Sequence, residues 1–319
     1  ADEKKVPQLQ LILRELEELN IPHFLSLNKI DKADARLTEA LKMLQPASRV
    51  PLLLRQIPIW TGETVNGFVD LALERAFVYR ENQASEMVPL EGDTLDAEKQ
   101  ARFSMQETLA DHDDALMEQL LEDIPPPRDR VFDDLRKELR DRQVCPMLMG
   151  VASRTHGILR LLKALRHEAP GPAQTAERLG VKANGESVAY VMKTFHTSHG
   201  GKLSIARVLA GQVGDSTVLH TPDDEAGRVA GVFKMLGQTP EKRGPAALGE
   251  TVALAKLDGA ATGQTLSTGK QPHAAVAEVK PFPPVLSIAL KARERKDDVK
   301  LGQALAKLRD EDPSITVIQ

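Results

Sequence analysis

The 319-residue sequence has one cysteine, Cys145, which excludes an intrachain disulfide and a cysteine-built metal cluster. It stands in the apolar run Val144-Cys145-Pro146-Met147-Leu148-Met149, so a buried structural thiol is expected and a nucleophile is not. Long apolar runs are missing too: no stretch approaches the ~20 residues of a membrane span. The start, ADEKK, lacks the pattern of a secretory signal. A reducing cytoplasm is the expected compartment, and 41% hydrophobic residues with a mean hydropathy of −0.29 fit a globular protein. The eight histidines show no metal-ligand spacing. A phosphate-cradling loop, G-x-x-x-x-G-K-[ST], is also absent. Gly201-Lys202 has His196 at the first glycine position and Leu203 at the last; Gly269-Lys270 fails likewise, with Gln264 and Gln271. Asp224-Glu225-Ala226-Gly227 matches D-x-x-G, but it falls in a turn among short strands and is set aside. His196, Ser198 and His199 cluster without an Asp or oxyanion context, which reads as a solvated turn. No catalytic residue and no metal ligand is assigned.

What is present begins at residues 24–33, FLSLNKIDKA. A helical pattern precedes it, with Leu9, Ile12, Leu13, Leu16 and Leu19 on one face and Asn20 at the expected C-terminal cap. A short apolar strand follows, then the polar loop Asn28-Lys29-Ile30-Asp31. The carboxyl end of a strand is where open parallel sheets bind ligands. An Asp carboxylate there offers two acceptors, which match the ring N–H and amino group of guanine. Charged hydrogen bonds of this kind are worth roughly 1.5–3 kcal/mol. Asn28 can meet the opposite edge of the base and the Lys29 stem can lie over its face. A turn of common loop residues is the bland alternative. A second strand-plus-loop adds weight: residues 144–149 end in Gly150-Val151-Ala152-Ser153, and a helix follows with Ile158, Leu161, Leu162 and Leu165 on one face.

Far more chain separates the two loops than one helix and one strand need, given usual connections of ~4–6 residues. The intervening residues predict an inserted α/β subdomain that opens with VPLLLRQIPIW and carries helices acidic on the outside, broken by Pro125, Pro126 and Pro127. Residues 81–135 hold 16 Asp or Glu against 4 Lys or Arg, a net −12, so the remainder carries +8 of the overall −4. Such asymmetry suits a basic protein partner at one end and RNA phosphates at the other; a solvated acidic surface explains it equally well. After APGPAQTAERLG the hydrophobic period becomes two, in SVAYVMKTF, KLSIARVLAG, STVL, RVAGVFKM and TVALAKL. Short strands between Gly, Pro and Asp turns predict a closed antiparallel barrel between about Ser187 and Thr268. Its expected core includes Val188, Tyr190, Met192, Leu203, Ile205, Val208, Val229, Val232, Val252 and Leu254. Finally VKPFPPVLSIALKA, DVKLGQALAKLRDEDP and SITVIQ read as strand, helix and strand, the opening half of a ferredoxin-like unit. A start without Met and an end inside a strand-like run give the sequence the character of a fragment.

This order resembles elongation factor G, a translational GTPase family, in the form of a divergent elongation factor G-like paralogue. The resemblance covers essentially the whole chain. It is carried by Asn28-Lys29-Ile30-Asp31, by Gly201-Lys202-Leu203-Ser204 with Arg207-Val208 and Gly211, and by Thr262-Gly263-Gln264-Thr265-Leu266. Pro284-Val285, Lys300-Leu301, Ala304-Leu305 and Glu311-Asp312-Pro313-Ser314 extend it. It implies a multi-domain α/β plus β-barrel fold. Residues 1–173 would be the C-terminal half of a P-loop GTPase-type domain, lacking the phosphate-loop half and carrying an insert at about 50–143. Residues 181–272 would be the translation-factor barrel and 279–319 the start of a ferredoxin-like α+β domain. The implied nucleotide-binding residues are Asn28, Lys29, Ile30, Asp31, Val151 and Ala152; Val151 replaces the family's usual Ser, keeping a backbone donor and losing a hydroxyl. The implied cofactors are GTP or GDP, with Mg2+ whose ligands precede this sequence. The implied activity is ribosome-dependent GTP hydrolysis driving tRNA and mRNA movement. The barrel would meet ribosomal RNA and the acidic insert the large-subunit stalk region; no membrane contact is implied. The alternatives are a release, recycling or tetracycline-protection factor, and a non-enzymatic ribosome- or RNA-binding module with a vestigial NKID.

Overall fold

A computed structural model of the chain describes residues 3–32, 37–182, 184–197, 201–222, 225–237, 239–269, 275–277, 281 and 283–318. They fall into two compact units, Ala1–Pro170 and Gly171–Gln319.

The first unit opens with helix α1 (Val6–Glu18), with Pro7 in its first turn. Asn20 follows at φ +55°, and its N–H reaches Glu17 O at 3.0 Å, the left-handed stop expected of it. Only Leu13 of the apolar stripe is fully buried; Ile12 and Leu19 are half exposed. Strand β1 (Leu25–Asn28), helix α2 (Leu37–Leu44) and strand β2 (Leu52–Leu54) follow. Next come β3 (Gln56–Thr61), β4 (Thr64–Asp70), β5 (Arg75–Val78) and β6 (Glu86–Val88), paired antiparallel in sequence order. Helices α3 (Gly92–Ala110), α4 (Asp114–Leu121) and α5 (Arg128–Arg140) come next, the last two separated by the predicted proline break. Strand β7 (Cys145–Gly150) and helix α6 (Ile158–Glu168) close the unit.

Strands β1, β7 and β2 form a parallel sheet with β7 in the middle. Every residue of β7 is buried, as a central parallel strand requires. Burial pushes the Cys145 thiol up to about 12, consistent with an inert structural cysteine. Residues 52–54 pair with β7, so the VPLLL part of the expected insert belongs to the parallel sheet. The segment beyond that sheet starts at Gln56, whose Oε1 accepts from Met149 N at 2.9 Å. Leu53, Leu71, Met105, Leu109, Leu116, Val131 and Leu135 pack in a core between strands and acidic helices. Those helices are not acidic on the outside alone: Glu98, Asp134 and Glu138 are buried. Burial, with Asp134 adding to it, pushes Glu138 up to about 8. A second buried charge group joins Arg55 to Glu168 and Arg160 to Asp70, so that the β2–β3 junction and the end of β4 are tied to α6.

The second unit begins with α7 (Pro172–Arg178), followed by β8 (Val188–Thr197), β9 (Gly201–Ala210), β10 (Gln212–Val213) and β11 (Val218–His220). Strands β12 (Glu225–Arg228), β13 (Val232–Leu236), β14 (Thr239–Lys242), β15 (Ala246–Ala247), β16 (Thr251–Ala255) and β17 (Thr265–Ser267) complete the sheets. Eight of them form one antiparallel sheet, ordered β12-β11-β17-β8-β9-β16-β13-β14, and β10 pairs with β15. Both wrap one core that includes Val208, Val229, Val232, Val252 and Leu254, as expected. The phase of β8 is the reverse of the sequence expectation. Ala189 and Val191 point into this core, Val188 packs in a separate cluster with Leu209, Tyr190 is half-buried and Met192 is exposed. On β9 the inward residues are Ala206 and Val208, while Ile205 is half-buried and the buried Leu203 lies outside this core. Alternation fixes the period and leaves the choice of face to packing.

Helix α8 (Asp298–Glu311) stops before Pro313 as predicted. The strands expected on either side are not formed among the described residues: 283–292 and 315–318 have no ladder partner, and Val285, Leu286 and Ile288 are exposed. His196 lies in β8 rather than in a turn, its ring Nε2 3.2 Å from Asp310 Oδ2; Ser198 and His199 lie outside the described residues. No described helix is long and apolar enough to cross a membrane.

Candidate functional site

The two loops singled out in the sequence leave the carboxyl ends of neighbouring strands. Parallel pairing sets Asn28 opposite Gly150, so β1 and β7 end level and their loops lie side by side. The Asn28 side chain joins them: its Oδ1 accepts from Lys29 N at 2.9 Å and from Ala152 N at 3.0 Å. Both acceptor lone pairs are used, which leaves the amide N–H2 to meet a base.

Lys29 takes φ +61°, a backbone region that costs a non-glycine residue about 1 kcal/mol or more. The sharp turn sends Ile30 into the core beside Met149, Val151, Val65 and Phe68. Ile30 therefore anchors the loop and its side chain does not face a ligand. Asp31 follows in a single 3-10 turn, half-buried, with Oδ1 enclosed and, among the described residues, without a hydrogen-bond partner. A carboxylate is an acceptor for paired N–H donors, the kind a guanine edge carries.

The second loop is held by a tight backbone exchange. Val151 N donates to His156 O at 2.9 Å, and His156 N donates to Val151 O at 3.1 Å. Val151 is 1% exposed, so its side chain is core and its N–H is already used. Ala152 is exposed, and a base oxygen would share its N–H with Asn28. Two glycines allow the loop to close. A Cβ on Gly150 would meet His156 O at 2.5 Å, and one on Gly157, at φ +76°, would meet Met149 O at 2.4 Å.

Sequence reading missed His156 and Tyr79. Their rings lie 4.6 Å apart and within 4° of parallel, beside the Val151–Ala152 loop. Phe68 stands 5.7 Å from Tyr79 and 5.2 Å from Phe77. Burial, then the nearby Arg154, hold His156 below its ordinary value, against the opposing pull of Glu81 and Asp31. No local pattern announces this pair, because 77 positions separate its members in sequence. Among the described residues no group of three or more His, Cys, Asp and Glu is placed to hold a metal ion.

No family model matches the chain. Among curated proteins it is 38% identical over 320 residues to an elongation factor G-like protein of Synechocystis sp., covering 99% of this chain and 46% of that protein. The chain thus spans less than half the length of that relative. Among solved structures it is similar to a crystal structure of a Thermus thermophilus protein, with a TM-score of 0.80 and 22% identity, covering 95% of this chain and 44% of the other. That likeness is one of fold: mixed α/β structure with parallel and antiparallel sheets. The resemblance drawn from separate motifs therefore runs along nearly the whole sequence: over 99% of its length the chain is similar to an elongation factor G-like protein.

Proposed function

We propose that this chain carries the guanine-reading half of the nucleotide site of an elongation factor G-like translational GTPase. The observation that carries the reading is the joining of the two loops, one of them ending in Asp31, through Asn28 Oδ1 and Ala152 N. On this reading Asp31 accepts from the ring N–H and amino group of guanine. The Asn28 amide faces the opposite edge, and the Lys29 stem lies over the ring. Ile30 and Val151 work from the core side, fixing the backbones that carry those groups.

GTP or GDP is the proposed ligand. The phosphate- and Mg2+-binding motifs, absent from this sequence, would come from elsewhere in a longer protein, as the 46% coverage of the relative leaves room for. Residues 1–173 are then the base-reading half of a GTPase-type domain with its insert, 181–272 the barrel and 279–319 the opening of a ferredoxin-like domain. The ribosome is the proposed partner, through the barrel and the acidic insert, and translocation of tRNA and mRNA in the cytoplasm the proposed activity.

The test is competition binding of GDP against XDP to full-length protein, wild type and Asp31→Asn, at equal magnesium and ionic strength. The Asn amide turns one acceptor into a donor, which opposes the guanine amino group and suits the xanthine carbonyl. Guanine binding should weaken by roughly 2–3 kcal/mol, on the order of 30- to 150-fold, with a shift toward XDP. Equal GDP affinity in the two proteins would leave Asp31 without this role.

A further inference from the structure

Among only eleven aromatic residues in the chain, Phe68, Phe77 and Tyr79 gather beneath the two loops. Phe68 lies in β4 and Phe77 in β5, while Tyr79 follows β5 and is held by its N–H to Asn66 O at 2.8 Å. Phe68 and Phe77 thus belong to the four-stranded antiparallel sheet, and Tyr79 is fastened to it through Asn66 of β4. His156 belongs to the second loop and stacks on Tyr79. Its backbone makes both hydrogen bonds to Val151, and the residue after Val151, Ala152, donates to Asn28. A continuous set of contacts therefore runs from the antiparallel sheet, through the Tyr79–His156 stack, to the group that would face the base.

We propose that His156 is a positioning residue for the base-reading loop, held by Tyr79, so that the inserted sheet sets how well the loop is ordered for nucleotide. The proposal rests on the guanine reading above for its consequence in binding, and on geometry alone for its effect on the loop. Offset and parallel aromatic pairs are worth more than their buried area. Here that energy is spent on the loop carrying the Ala152 N–H.

The imidazole adds a pH response. The groups that act on it are Arg154, which disfavours its charge, and Glu81 and Asp31, which favour it; burial is the largest influence and disfavours charge. The neutral ring is thus the form the fold prefers. Its contribution is fully present above the ordinary value of 6.5 and is lost as pH falls through the lowered value in the folded protein.

The experiment measures amide exchange protection at Val151 and Ala152 in the chain by NMR, corrected for intrinsic rates, as pH is lowered from neutral. Tyr79→Leu and His156→Ala should each reduce protection at these two amides by about tenfold, with global stability followed in parallel. Tyr79→Phe should keep it, since the ring remains. His156→Phe should keep protection and abolish its fall at acid pH, a separation that a merely structural role would not produce. If Tyr79→Leu fails to fold, the half-buried His156 decides, because His156→Ala leaves the core intact. Unchanged protection in His156→Ala, or a pH profile retained in His156→Phe, would overturn the positioning role. Neither outcome depends on base preference, which the Asp31→Asn competition tests by itself.

Discussion

Gly157 shows how narrowly the second loop is determined. It takes φ +76°, and a side chain there would run into the carbonyl of Met149 in the central strand. Gly157→Ala should cost roughly 1–3 kcal/mol, because neither the backbone angle nor the neighbouring strand can yield cheaply. A urea titration should show a lower midpoint with an unchanged slope; an unchanged midpoint would mean that the loop relaxes freely. The loops that carry Asn28, Asp31 and Ala152 were legible in the sequence because a polar loop after an apolar strand is a local pattern. Ile30 and Val151 were legible as members of the loops but not in their orientation, since both turn inward. His156 was not legible. Its significance lies in a ring 77 positions away, and nothing in the local sequence marks that contact.

Helices and strands were largely readable from period and punctuation: the Asn20 stop, the proline break before α5, the Pro313 stop and the short strands of the second unit. Facing and pairing were not. Strand β8 presents Ala189 and Val191 to its core, although Tyr190 and Met192 are the larger apolar residues. Small side chains suit the crowded interior of a wrapped sheet, and the larger ones cover its outside. The chain around 283–292 has strand composition but no ladder partner among the described residues, and composition alone does not make a ladder. Buried charges were also hidden, because sequence gives no sign that Arg55, between β2 and β3, will meet Glu168 at the end of α6. Arg55 is fully buried, donates to both carboxylate oxygens of Glu168 and lies over the Phe132 ring. Arg55→Ala should therefore cost up to roughly 3–5 kcal/mol, since the buried Glu168 keeps only the more distant Arg160, at 3.7 Å. Arg55→Ala with Glu168→Gln should recover part of that loss, and denaturant titration of the three proteins measures it. A single variant as stable as wild type would show that water replaces the guanidinium.

The chain has two units with separate cores, and a strongly acidic stretch in the first stands against a remainder of net positive charge. Phosphoryl transfer is catalysed by positioning and by charge placed around the transferring group. The sequence contains no G-x-x-x-x-G-K-[ST] loop, and its D-x-x-G match begins at Asp224, outside the described residues, with Glu225–Arg228 forming β12 in the second unit. The described residues also hold no group suited to a metal ion. On the proposed reading the charges that stabilise the transition state come from outside this chain, while Asp31 and Asn28 read the base. The isolated chain should accordingly show no GTP hydrolysis above a buffer control, with or without ribosomes, under conditions where full-length protein is stimulated. Phosphate release by a continuous assay at saturating GTP measures this. Ribosome-stimulated release by the chain alone would mean that catalytic groups reside in these 319 residues after all, and would direct attention to the charged residues of the second unit, where Lys202, His196 and Asp310 converge. Absence of release together with GDP binding that Asp31→Asn weakens would separate base reading from phosphate chemistry, as the proposed division of the site requires.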